Sequence, residues 1–295
     1  NHRPRSIFRH QIGSSINEDI LIFEEKTKAF TVSIGISSDE KYYFINSSDH
    51  NTSEKYYFGI DEKKPKPKLI QQRKKGIIYS VNSWGGNFYM HTNEDAEDFK
   101  ILISNNIESK VWETYIPSQS ETMIGNLTFL NNWQIRSELK NARDKIYVKN
   151  LKTNKEEEII FTEETVYESS VSLMQRDRNT DDVYISYSTP KTPSRTFIYN
   201  LKTKEKKLVK EQIIPSGHNS NNYIVERLEC EGHDGRIIPI TITRKTTTKL
   251  DGNSNLLLYG YGSYGNSMWP SFSSTRLSLI NRDIIWATAH IRGGM

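Results

Sequence analysis

The sequence predicts an incomplete all-β propeller of about four blades, followed by the start of an α/β domain. Three observations predict it. Strand-like segments recur about every 46 residues, the spacing of a repeat built from four short strands. A turn sequence is nearly duplicated 50 residues further on. After residue 220 the pattern changes to hairpin, strand, helix, strand, which is how an α/β domain begins.

The repeat is read from aligned strand candidates. Lys41-Tyr42-Tyr43-Phe44-Ile45, Asn87-Phe88-Tyr89-Met90-His91, Asn132-Trp133-Gln134-Ile135-Arg136 and Asp182-Val183-Tyr184-Ile185-Ser186 align on Phe44, Met90, Ile135 and Ile185, at spacings of 46, 45 and 50 residues. A second set follows: Lys55–Phe58, Lys100–Ile103, Lys145–Val148 and Thr196–Tyr199. An extended run precedes each first-set strand: Phe30–Ile36, Ile77–Val81, Ile124–Leu130 and Val171–Leu173. All are rich in aromatic and β-branched residues between polar clusters. The turn Asn150-Leu151-Lys152-Thr153-Asn154 returns as Asn200-Leu201-Lys202-Thr203-Lys204. Glu158-Ile159-Ile160 and Lys207-Leu208-Val209 after these turns are expected outer strands. A β-sandwich whose strands happen to be evenly spaced is the competing architecture.

Residues 61–75, rich in Lys with Pro65 and Pro67, read as a solvated loop between blades, with no aromatic residue interleaved for base stacking. Residues 216–222, Ser-Gly-His-Asn-Ser-Asn-Asn, read as a linker. The expected division is 1–215 for the partial propeller, 216–222 for the linker and 223–295 for the α/β part. In the last part Tyr223–Glu229 and Ile237–Thr243 flank Asp234-Gly235, a hairpin signal. Leu256–Tyr259 and Ile284–Ala287 are continuous apolar runs, expected to be strands buried on both faces. Ser271–Ile280 has helix-compatible spacing.

Composition narrows the function classes. Only 35 % of the 295 residues are hydrophobic, yet 16 Tyr, 11 Phe and 5 Trp are too many for a chain without a core. With 40 Lys+Arg against 36 Asp+Glu the net charge is +4, which points to neither a nucleic-acid nor a membrane partner. The apolar runs fall far short of the roughly 18 residues of a membrane helix. Cys230 is the single cysteine, so no internal disulfide forms, which fits a reducing, cytoplasmic location. No apolar segment follows Asn1-His2-Arg3-Pro4, so no signal peptide is expected, and the missing Met fits a processed chain or a piece of a longer one. No His/Cys/Asp/Glu cluster has metal-ligand spacing, and neither metal nor cofactor is expected.

Leu258-Tyr259-Gly260-Tyr261-Gly262-Ser263-Tyr264-Gly265, Phe272-Ser273, Arg276-Leu277-Ser278-Leu279 and Ala289-His290-Ile291-Arg292-Gly293-Gly294 together resemble the prolyl oligopeptidase family of serine peptidases, in its oligopeptidase B (protease II) branch. Glu226-Arg227-Leu228, Asp234-Gly235, Phe8-Arg9-His10, Glu24-Glu25-Lys26 and Thr52-Ser53-Glu54 match the same branch. The resemblance implies a seven-bladed propeller covering an α/β-hydrolase domain with a Ser–Asp–His triad. This chain would hold the last four blades and the N-terminal part of the hydrolase. It implies that Tyr261 donates its hydroxyl to the oxyanion, with Gly260 and Gly262 letting the backbone pass closely. Tyr264 would line the substrate pocket. Many members of the branch carry two Asp residues where Trp269 and Ser271 stand here, so the dibasic preference those carboxylates provide is not expected.

An α/β-hydrolase nucleophile sits in Gly-x-Ser-x-Gly. No such pentapeptide occurs: Gly252-Asn253-Ser254-Asn255-Leu256 and Gly265-Asn266-Ser267-Met268-Trp269 both lack the second Gly. The triad is therefore expected beyond Met295, and the chain is expected to be inactive alone. His290 and Arg292 are read as structural, the latter anchoring the Gly-Gly turn, and His233 as solvated. The expected function is part of a serine oligopeptidase acting on short peptides after basic residues, with a complementing C-terminal hydrolase chain as partner. The alternative is a non-catalytic propeller interaction module, or the product of a split or decayed gene.

Overall fold

The computed structural model describes residues 3–160, 162, 164–174, 177–266 and 268–293. The chain divides into two compact units, 1–126 and 127–295. In the first, β1 (Ser6–Arg9) and β2 (Ile20–Glu24) form an antiparallel hairpin that no repeat pattern announces. Next, β3 (Thr31–Ile36), β4 (Tyr42–Ser48), β5 (Ser53–Gly59) and β6 (Lys68–Gln71) pair in chain order as an antiparallel meander. A second meander holds β7 (Tyr79–Trp84), β8 (Asn87–Thr92), β9 (Lys100–Ser104) and β10 (Glu113–Ile116). Its first corner is Gly85-Gly86, both at positive φ (61° and 82°), the backbone a two-residue hairpin needs to match strand twist.

The third meander is β11 (Thr122–Leu130), β12 (Trp133–Lys140), β13 (Arg143–Asn150) and β14 (Glu156–Glu158). The fourth is β15 (Glu168–Leu173), β16 (Asp182–Thr189), β17 (Thr192–Asn200) and β18 (Lys206–Glu211). The expected inner strands all appear. The third outer strand lies earlier than Glu158-Ile159-Ile160: Glu156 pairs with Lys149 and Glu158 with Tyr147, while Ile159 turns into the core and Ile160 is exposed.

The duplicated turn is duplicated in its atoms. Asn150 Oδ1 accepts the amides of Lys152 and Thr153, each at 3.0 Å, and Asn200 Oδ1 accepts those of Lys202 and Thr203 at 3.0 and 2.8 Å. The side-chain carbonyl caps amides the tight turn would leave unpaired. Each turn ends on a left-handed residue, Asn154 (φ 59°) and Lys204 (φ 67°).

Apolar faces are covered between meanders. In the first unit Phe44 and Tyr57 pack with Phe88 and Ile107. In the second, Trp133, Ile135, Ile146 and Val148 pack with Val183, Ile185, Tyr199 and Leu201.

The basic segment 61–75 differs from the solvated loop expected. Pro65 and Pro67 precede a short edge strand, β6, and an edge position tolerates such neighbours. Beyond β6, Arg73 bridges two buried carboxylates, reaching Glu25 at 2.7 Å and Glu54 at 2.7 Å, and its guanidinium lies 4.2 Å from the centre of the Phe30 ring. Burial alone would raise the Glu25 carboxyl. The Ser47 hydroxyl at 2.5 Å, the Thr27 amide and Arg73 outweigh it and hold Glu25 at about 2.

The last sheet is mixed. β19 (Tyr223–Glu231) and β20 (Ile237–Lys245) form a hairpin; β21 (Leu256–Gly260) crosses over through α1 (Ser274–Ile280) to β22 (Ile285–Ala289). The order is β19-β20-β22-β21, with β21 and β22 parallel. The Ser273 hydroxyl caps α1 by accepting the Arg276 amide, and Leu277 and Ile280 bury its inner face with Tyr223. β22 is buried as expected, but β21 is not: Leu256, Leu258 and Tyr259 are exposed. β21 pairs only with β22 among the described residues, and nothing among them covers its outer side chains. No described helix is long and apolar enough to cross a membrane.

Replacing Arg73 with Met leaves Glu25 and Glu54 buried without their cation. Urea unfolding is expected to show a loss of about 3–5 kcal/mol, the range for breaking a buried ion pair. The unfolded Glu25 titrates near 4.5 and the folded one near 2, so its contribution, present above pH 4.5, is lost as pH falls toward 2.

Candidate functional site

The carboxyl ends of parallel strands are where α/β sheets place ligands. Here β21 and β22 end side by side, with Gly260 opposite Ala289. Tyr261 follows directly from β21, and His290 from β22.

The two segments beyond these ends touch backbone to backbone. A Cβ on Gly262 would overlap the Arg292 carbonyl oxygen, and one on Gly293 the Gly262 carbonyl oxygen. Gly293 also sits at φ 88°, the left-handed region. Gly262 therefore has the close-approach role expected of it. Gly260 does not: a Cβ there meets only ordinary contacts, 3.6 Å and beyond. Gly294, the other half of the expected Gly-Gly turn, and Ser267 lie outside the described residues.

His290 fastens the loop between β21 and α1 to the sheet. Its ring is buried; Nδ1 lies 2.8 Å from the Met268 carbonyl and Nε2 2.7 Å from Thr241 Oγ1. A carbonyl only accepts, so Nδ1 carries the proton, and the neutral Nε2 accepts from the Thr241 hydroxyl. Burial pushes its pKa down to about 4, against the pull of the Met268 carbonyl. With both nitrogens engaged, His290 is a positioning residue and no base for a nearby serine. Thr241, in mid-strand on β20, gave no sign of this role in the sequence.

Arg292 pairs with Asp234 in the β19–β20 turn, so its anchor is the hairpin, and its charge pulls the Asp234 carboxyl down. His233 beside it is exposed. In the linker, His218 stacks on Tyr223 (5.3 Å, 14°), meets Phe272 edge-on (5.1 Å) and donates Nε2–H to the Lys191 carbonyl at 2.7 Å. It thus ties the β16–β17 corner to the start of α1, a role a Gly/Asn-rich linker gave no hint of.

The loop this network holds carries the candidate substrate residues. Tyr264 is 81 % exposed and left-handed (φ 60°), so its ring stands out from the turn. Trp269 and Ser271 are half-buried, and the Ser271 carbonyl accepts from Arg276 at 3.1 Å. Tyr261 is 38 % exposed at the strand end. No group of three His, Cys, Asp or Glu side chains among the described residues could hold a metal.

Residues 2–212 match the model of the prolyl oligopeptidase N-terminal β-propeller domain. The chain belongs to the prolyl oligopeptidase family. It is 31 % identical to Protease 2 of Moraxella lacunata over 99 % of its own length and 42 % of that protein's, and 29 % identical to dipeptidyl aminopeptidase BI of Pseudoxanthomonas mexicana over 97 % and 39 %. Among solved structures, oligopeptidase B from Trypanosoma brucei with covalently bound antipain superposes with a TM-score of 0.90 at 26 % identity, covering 99 % of this chain and 43 % of that one. The chain thus spans about 40 % of the relatives it matches. The four meanders are propeller-like sheets of this family's N-terminal domain.

Two outcomes test the site's construction. Gly262→Ala and Gly293→Ala are each expected to lower stability by about 1–3 kcal/mol in urea unfolding, as overpacking does. Gly293→Ala should cost the more, because its φ adds strain. The unfolded His290 takes up a proton near pH 6.5 that the folded one refuses until about 4, so stability present above pH 6.5 falls as pH drops toward 4. Urea midpoints across that window should show a steeper fall for the wild type than for His290→Gln.

Proposed function

We propose that this chain is part of a serine-type oligopeptidase. Residues 1–215 are four blades of its seven-bladed propeller, 216–222 its linker, and 223–295 the opening of its α/β-hydrolase domain. The observation that carries the reading is the Gly262–Gly293 crossing, which fixes Tyr261 at the carboxyl edge of the parallel strand pair. A phenol there donates a hydrogen bond to the oxyanion of the tetrahedral intermediate and stays neutral throughout. A preorganised donor aimed at developing charge contributes about 3–4 kcal/mol in comparable sites.

The rest of the chemistry comes from residues outside this sequence, since no Gly-x-Ser-x-Gly occurs in it. A serine without base and orienter is a weak nucleophile, so the chain alone does not turn over substrate. A complementing C-terminal hydrolase chain is its partner, short peptides are its substrates, and the cleavage site follows a basic residue, as the relation to oligopeptidase B supports. Tyr264 borders the substrate. Trp269 and Ser271 offer no carboxylate to a second basic residue. The single, exposed Cys230 fits a cytoplasmic location.

The test is complementation. The 295-residue chain is mixed with a C-terminal hydrolase segment carrying the triad and assayed on an Arg amide. The chain alone should be inactive and the mixture active. Tyr261→Phe should lower kcat about 100–1000-fold with little change in KM. A second basic residue in the substrate should bring no gain. Hydrolysis by the chain alone, or an unimpaired Tyr261→Phe mixture, would refute the assignment.

A further inference from the structure

A cavity of about 260 Å³ in the first unit plays no part in the function above. It lies where the β4–β5 corner meets the beginning of β7, the end of β8 and β11, and its polar lining includes Asn46, Ser48, Asp49, Lys55, Ser80 and Asn126. Lys55 stands apart from the other buried or bridging cations of this unit. Arg73, Lys68 and Lys74 each pair with a carboxylate; the Lys55 ammonium instead donates to a neutral amide, Asn46 Oδ1, at 2.7 Å. Burial pushes its pKa down to about 8, with no neighbouring charge offsetting the loss of water. A desolvated cation without a counter-charge weakens a fold, and an apolar side chain of similar length would serve packing better.

The surrounding donors are incompletely used. An ammonium has three N–H groups, and one goes to Asn46. The Ser48 hydroxyl accepts from Asn46 Nδ2 at 3.0 Å, which leaves its own proton to give. Asn126 Oδ1 accepts from Ser80 at 2.7 Å, which leaves its NH₂. Little negative charge opposes them. His91 donates to the Ile124 carbonyl, lies flat on Phe99, and burial pushes its pKa down. Asp49, also on the lining, holds the amides of Asn51 and Thr52 in its own turn at 3.0 and 2.9 Å.

We propose that this cavity binds a small oxyanion, with the Lys55 ammonium as counter-charge and Ser48 and Asn126 as further donors. The volume suits a phosphate or a short carboxylate, whose common feature is clustered acceptor oxygens.

Titration calorimetry on the 295-residue chain at neutral pH, with ionic strength held by chloride, tests it. Separate arms use inorganic phosphate and acetate, which tells the two sources apart. One-site, saturable heat is expected from at least one of them below about 20 mM, and Lys55→Met should weaken that affinity at least ~10-fold, the scale of a charged hydrogen bond. Lys55→Met should melt at or above the wild type, so its loss of binding is not a loss of fold. Ser48→Ala, which spares the charge, should weaken binding severalfold, and Lys55→Arg should retain it. Saturation by neither anion, or unchanged affinity in Lys55→Met, overturns the proposal.

Discussion

A four-stranded meander has two faces and cannot cover either by itself, and this constraint governs the chain up to Glu211. The faces are covered by neighbours: Phe44 and Tyr57 need Phe88, and Ile135, Ile146 and Val148 need Val183, Ile185 and Tyr199. Because these two faces are each filled from two sheets, few apolar residues per strand suffice if they are large. That is how 35 % hydrophobic residues with many tyrosines and phenylalanines build a core.

Both units use an arginine between two carboxylates as a polar fastener, Arg73 in the first and Arg136, held by Glu138 and Glu156, in the second. In the first, Arg73 joins residues 19 and 48 positions away into an ion triad, a charged solution made tolerable by the Ser47 and Thr27 donors. The second adds an uncharged one: the His290 imidazole joins β20 to the loop of Met268. A neutral fastener holds the loop without the cost of desolvating a second buried charge. The glycine crossing works alongside it through shape alone.

Much of the fold was legible because strand signals repeat. Tyr, Phe, Ile and Val alternate between polar clusters at a near-constant spacing, and the register places their apolar members on shared faces. β6 was hidden because its flanks, Pro65, Pro67 and several lysines, are the composition of a loop; only pairing with Tyr56 and Tyr57 makes it a strand. β1 and β2 stand outside the repeat. At the site, Gly262 could be read as a tight passage, but its partner Gly293 is adjacent only in space. His290 could be read as structural, whereas Thr241, an ordinary mid-strand threonine, carried no local mark. Leu256–Tyr259 reads as a strand covered on both faces; within this chain it pairs with β22, and Leu256, Leu258 and Tyr259 stay exposed.

The twin corners at Asn150 and Asn200 bear on how such a chain is assembled. Each closes on itself within six consecutive positions, down to the amide of Asn154 or Lys204 on the carbonyl of its leading asparagine. Each corner is also seated on its own meander in the same way: the Leu151 amide donates to the Asn132 carbonyl and the Leu201 amide to the Asp181 carbonyl. Copying such a meander whole therefore preserves these bonds, whereas copying a corner alone leaves its leucine amide without an acceptor.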